Sequence, residues 1–371
     1  MGIRMWVCIP LAAILIAALG IPREAWTARA QQEGPMTPPP SAQPEPPPPP
    51  PPQAPAAQRA PTPPSSPQAT ISVKSNLVDV DATVTDHDGN LVTGLKQQNF
   101  RVFDNGQEQQ IENFAPTEAP LTIVVLLEFS DASWGYFEGY FGYKGQYWAD
   151  GFLDHLKPQD WVALKTFDLR TTLQVDFTQD KRAVDEAIQT LGFPSFHEAV
   201  LFDALYETLD QLRDVHGKKS VLVIATGFDT FSKHNLDQIL TRLKETEVTI
   251  FCIGMAEEID LYSTGSDINY LQAKNQLTTF ARLTGGYAFF PRFDGEMPEI
   301  FNSVASFLRN QYTLVFTPTT QQDGRYHKLT VEVVDEQGKP LELANKKGKK
   351  KKVMVYARQG YMAPHPAAAA D

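Results

Sequence analysis

The chain has 371 residues, with 33 basic against 44 acidic side chains and a formal charge of −11. That balance argues against a nucleic-acid surface, and two cysteines are too few for a disulfide-stapled scaffold.

Residues 1–30 place Arg4 ahead of an apolar stretch, Met5 to Leu19, and end on Ala28-Arg29-Ala30. This is the charged, apolar and small-x-small order of a secretory signal peptide, and it predicts export to the periplasm or beyond the cell. An uncleaved anchor is the alternative, but the apolar stretch is 15 residues, short of the roughly 20 that span a bilayer. Cys8 would leave with this segment, and Cys252, inside the apolar "VTIFCIGM", reads as a core thiol. Residues 31–70 contain 17 prolines, including the run Pro46 to Pro52. Such a composition builds no core and favours an extended polyproline spacer.

From 71 to 116 the pattern is β: "VDVDATVT" alternates, and "DHDGN" and "DNG" supply hairpin turns. From 117 to 310 strands alternate with helices. Strands are expected at Leu121–Leu127, Trp161–Phe167, Thr172–Phe177, Ser220–Ala225, Val248–Gly254 and Tyr287–Pro291, with helices over 199–212, 235–247 and 296–310. This order predicts an α/β domain with a doubly wound, mostly parallel sheet flanked by helices. Residues 311–364 return to alternating β patterns, expected either to extend that sheet or to pair with the first β segment, and 365–371 should fray. Within this last segment "NKKGKKKK" packs six lysines between Lys346 and Lys352. The run is a solvated hairpin tip or a contact for an anionic envelope surface.

The strand "LTIVVLL" is apolar on both faces and stops at Glu128-Phe129-Ser130-Asp131. Open α/β sheets place ligands at such strand ends. An acid-x-Ser-x-small turn after a central strand, followed by βα units, resembles a von Willebrand factor type A domain. The preceding "VDVDATVTDHDGNLVTGLKQQNFRVFDNGQEQQIENF" and the closing "RQGYMAP" resemble the exported, acidobacterial-type subfamily of such proteins.

The resemblance implies a metal ion-dependent adhesion site, built from Asp-x-Ser-x-Ser, a threonine and a late aspartate. Carried over position by position, the first Asp is Glu128, the first Ser is Ser130, and the second falls on Ala132 with Ser133 one residue beyond. The threonine falls on Ala199 and the late aspartate on Thr226. Mg²⁺ asks for near-octahedral oxygens at about 2.1 Å, so a longer acid arm and two lost hydroxyls predict a degenerate site without metal. Were Mg²⁺ or Ca²⁺ held there, the ligands would be Glu128, Ser130 and Thr226. Asp131, Asp168 and Asp229 are neighbouring carboxylates that serve equally as turn caps. The following stretch crowds aromatics, Trp134 and Tyr136 first among them, between glycines, a composition suited to a recognition loop.

No Gly-x-Gly-x-x-Gly, phosphate-loop or Gly-x-Ser-x-Gly motif occurs, and Glu128 with Asp229 as a glycosidase pair has no corroborating motif. The expected function is that of an exported, non-enzymatic binding module without cofactor or small-molecule substrate. It would meet a protein partner through the rim residues Glu128, Ser130, Asp131, Ser133, Trp134, Tyr136, Thr226 and Asp229. Metal-assisted adhesion and a structural role in an envelope assembly are the alternatives.

Overall fold

The computed structural model describes residues 77–116, 120–130, 152–192, 196–254, 267–319, 323–345 and 347–364. Its strands, in chain order, are β1 (Val78–Thr85), β2 (Phe100–Asp104), β3 (Gln107–Gln109), β4 (Asn113–Pro116), β5 (Leu121–Glu128), β6 (Trp161–Phe167) and β7 (Thr171–Thr178). Then come α1 (Lys181–Gln189), α2 (Leu201–Gln211), β8 (Lys218–Ala225), α3 (Leu236–Glu245), β9 (Thr249–Gly254), α4 (Asp267–Leu283), β10 (Ala288–Phe289) and α5 (Met297–Arg309). The chain closes with β11 (Tyr312–Phe316), β12 (Tyr326–Val333), β13 (Glu342–Ala344), β14 (Lys350–Lys352), β15 (Met354–Ala357) and β16 (Gly360–Met362).

The central sheet has six strands in the order β10-β9-β8-β5-β6-β7. All its neighbours run parallel except β6 and β7, which form an antiparallel edge hairpin. Its two faces are visible in β5 alone. Leu121, Ile123, Val125 and Leu127 enter one core with α1 and α5, while Val124 and Leu126 enter the other with α2, α3 and α4. Alternation of side chains across the strand is what makes a continuous apolar run necessary here. Cys252 belongs to the second core, and burial pushes its thiol far above the ordinary range, leaving it without thiolate character.

The first β segment and the last pair with each other. β1 is antiparallel to β11 and β15, and β2 to β12. The sheets β15-β1-β11-β4 and β16-β12-β2-β3 enclose a shared core that includes Val80, Ala82, Val102, Leu314, Phe316 and Leu329. Of the two expected arrangements of residues 311–364, this is the one that forms. Neither segment could bury its apolar face alone, so the sandwich needs both ends of the chain. It is tied to the amino-terminal end of β8, where Lys218 Nζ donates to Asp81 at 2.7 Å.

Three sequence expectations are revised. β10 has two paired residues rather than the five of Tyr287–Pro291. Helices α1 and α4 were not expected. α4 is polar along most of its length and buries Ala273, Leu277, Phe280 and Ala281, spaced four, three and one apart. That narrow stripe is easily lost in a polar sequence. Among the described residues no helix is long and apolar enough to cross a membrane.

Candidate functional site

In the central sheet the chain leaves β5 towards β6 on one side, and leaves β8 towards β9 on the other. β5 and β8 are neighbours, with Leu127 opposite Ile224. The crevice between their carboxyl ends is therefore the topological switch point, where doubly wound sheets bind ligands. Glu128 ends β5 and Thr226 follows the last residue of β8.

The two meet. Ser130 Oγ donates to Glu128 Oε1 at 2.8 Å, and the Thr226 backbone N–H and Oγ1 both donate to Glu128 Oε2 at 2.8 Å. Thr226 Oγ1 in turn accepts from Phe228 N at 3.3 Å. Glu128, Ser130 and Thr226 are all buried. Burial raises the Glu128 carboxyl above the ordinary glutamate range, opposed by its hydrogen bonds from Ser130 and Thr226. Desolvation favours the neutral acid. Three donors thus converge on this one carboxyl. Gly227, at φ 90°, turns the chain out of the crevice, and a Cβ there would stand 3.0 Å from Ala273 O.

The flanking loops are fixed by other bonds. Ala199 is buried, and its N–H donates to Thr230 Oγ1 at 2.8 Å, so a methyl sits where the resemblance calls for a threonine hydroxyl. Asp229 Oδ1 accepts from Phe202 N at 3.0 Å and Ser232 Oγ at 2.5 Å, at the start of α2. Asp203 accepts from the backbone N–H groups of Lys233 and His234, and the His234 ring stacks on Tyr206 with centroids 4.0 Å apart. Asp168 accepts from Arg170 N in the β6–β7 turn.

Of the residues singled out in sequence, the fold thus brings together Glu128, Ser130 and Thr226. It uses Asp229 and Asp168 as loop fasteners. Asp131, Ser133, Trp134 and Tyr136 lie outside the described residues. Among the described residues no group of three or more His, Cys, Asp or Glu is placed to hold a metal ion. The donor set at Glu128 fits one poorly: the single buried acid already accepts three hydrogen bonds, and Ala199 brings a methyl where a further oxygen would be needed.

The sequence reading missed two rim residues. Phe231 is 63 % exposed and Phe196 39 % exposed. Their loops run side by side, with Thr230 N donating to Ala199 O at 2.9 Å. Each is an aromatic set among polar turn residues, "GFDTFSKH" and "PSFHE", a signal that was legible but weak.

In solved structures the chain is similar to a von Willebrand factor type A protein from Catenulispora acidiphila. That match has 10% identity, covers 74% of this chain and 76% of that one, and has a TM-score of 0.42. The fold itself is an α/β arrangement with a mostly parallel six-stranded sheet and further antiparallel sheets outside it. The chain is also similar to proximal thread matrix protein 1 from the mussel byssus with a zinc-occupied adhesion motif, at 16% identity, 54% and 49% coverage and a TM-score of 0.43. A third likeness is to the von Willebrand factor domain of a type V pili tip protein from Porphyromonas gingivalis, at 11% identity, 51% and 95% coverage and a TM-score of 0.40. At such values the likeness concerns the path of the chain, and no property of the matched proteins transfers with it. No family model and no curated protein matches the chain.

Proposed function

We propose that this protein is an exported, non-enzymatic binding module of the acidobacterial-type von Willebrand factor A-related subfamily. It engages a protein partner through the loops at the carboxyl ends of its central strands, without a metal. The observation that carries the reading is the closed crevice at the switch point. Where a divalent cation would otherwise present an open coordination position, Glu128 accepts from Ser130 and from both donors of Thr226. What the described rim offers a partner includes two exposed aromatics, Phe231 and Phe196, on two neighbouring loops pinned to α2. Exposed aromatics on a rigid loop support are the residues from which interface hot spots are made.

The leader-like segment 1–30 and the proline-rich stretch 31–70 support export and a spacer between surface and binding domain. The test is capture of envelope proteins by the full chain, with Mg²⁺ or with EDTA, against Phe231→Ala and Phe196→Ala variants. Capture that ignores EDTA and is lost in both variants supports the proposal. Capture that requires Mg²⁺ and disappears with Glu128→Ala overturns it in favour of metal-assisted adhesion.

A further inference from the structure

The lysine run does not belong to the rim. Among the described residues β13 and β14 form a two-stranded ribbon that pairs with no other sheet. Its register places Glu342 opposite Lys352, Leu343 opposite Lys351 and Ala344 opposite Lys350. Its tip is a built turn. Asn345 N donates to Lys349 O at 2.9 Å, and Asn345 Oδ1 accepts from the backbone N–H groups of Lys347 and Lys349. Gly348 takes φ 73° within it. The root is equally fixed, with Val353 N donating to Leu341 O at 3.1 Å and both side chains packed on the sandwich core. The lysines therefore sit on a preorganised finger.

Lys347, Lys349, Lys350, Lys351 and Lys352 are all exposed, and among the described residues their ammonium groups form no ion pair. Successive residues of β14 point to opposite faces, so both faces of the ribbon are positive. Edge protection alone needs one lysine. Five clustered within six positions, plus Lys346, repel one another and burden the ribbon. The rest of the molecule sharpens the contrast, because the chain's −11 becomes −17 once these six charges are set aside. An anionic surface would attract this finger and repel most of the remainder.

We propose that the β13–β14 ribbon is a docking element for the anionic headgroups of a lipid bilayer. The chemistry favours a diffuse charged surface over a polymer read group by group. The run contains lysines and no arginine, hence compact point charges without the bidentate fork that recognises single phosphates. No aromatic residue lies between Glu342 and Lys352 on which a base could stack.

Each lysine brought to an anionic bilayer strengthens partition about five-fold, so three effective lysines give about a hundredfold preference. The experiment is sedimentation of the full chain with phosphatidylcholine vesicles and with phosphatidylcholine–phosphatidylglycerol vesicles. Any attraction of the apolar residues 5–19 is common to both lipids and cancels in the ratio. The parent should prefer the anionic vesicles about a hundredfold, and the preference should vanish near 1 M salt, where charges are screened beyond about 3 Å. K347Q/K349Q/K350Q/K351Q/K352Q should lose it, whereas the matching five-fold Lys→Arg variant should keep it. Equal binding of the parent to both lipids, or an undiminished preference in the glutamine variant, would overturn the proposal. So would binding to soluble polyphosphate or duplex DNA without binding to vesicles, which would point to a polymer instead.

Discussion

Replacing Glu128 by Gln tests the core of the site most directly. Gln keeps the shape and an oxygen for the Thr226 N–H and Oγ1, and its amide can donate to Ser130 Oγ, whose hydroxyl turns to accept. Only the titratable proton is removed. Because burial raises the Glu128 carboxyl in the folded protein, the folded state holds this proton at pH values where the unfolded chain, with a pKa of about 4.3, has released it. Stability of the parent must then fall as pH rises from about 4.3 up to the folded-state value, by at most about 1.4 kcal/mol per pH unit from this group, and level off above it. Glu128→Gln lacks that loss. The two proteins should therefore match near pH 4, and Gln should be the more stable at neutral pH. Urea denaturation of the full chain across this range, with and without millimolar MgCl₂, measures the difference. A parent that instead gains on the Gln variant as pH rises, in MgCl₂ but not without it, would show a charged carboxylate held by the cation, and the metal-free reading would be wrong.

Other substitutions probe the site and its supports. E128D/A132S/A199T/T226D restores the oxygens that the resemblance calls for, and calorimetry should show micromolar Mg²⁺ binding that the parent lacks; a silent quadruple variant would mean the loops themselves are misplaced. His327, buried in the sandwich, lies 3.1 Å from the buried Asp104, which also accepts from Tyr361 at 2.9 Å. His327→Leu should cost about 3 kcal/mol in urea denaturation by leaving an acid under-satisfied, and a loss below about 1 kcal/mol would show that Asp104 finds other partners. Gly286→Ala would put a methyl 1.9 Å from Ile250 O, where β9 meets the turn before β10. It should destabilise by about 3 kcal/mol, while Gly192→Ala, with nothing within 4 Å, should be neutral; equal melting temperatures would refute the close approach.

Much of this protein was written in local pattern. The doubly wound domain follows from "LTIVVLL", "SVLVIA" and "VTIFCIG", because a strand covered on both faces has no polar side to show. α3 announced itself by Asn235 and Gln238, which form the capping box that their spacing predicts. The lysine ribbon was equally plain, since charge needs no partner to be read.

What the sequence left open was decided by distance in space. Which β segments pair depends on contacts between residues more than 200 positions apart, such as Val80 with Leu314, and alternation says only that a strand has two faces. Glu128 and Thr226 are 98 positions apart; in sequence each is a departure from a metal-site pattern. Only the crossing of the chain at the switch point brings the acid to the threonine's two donors, and only burial raises that acid's hold on its proton.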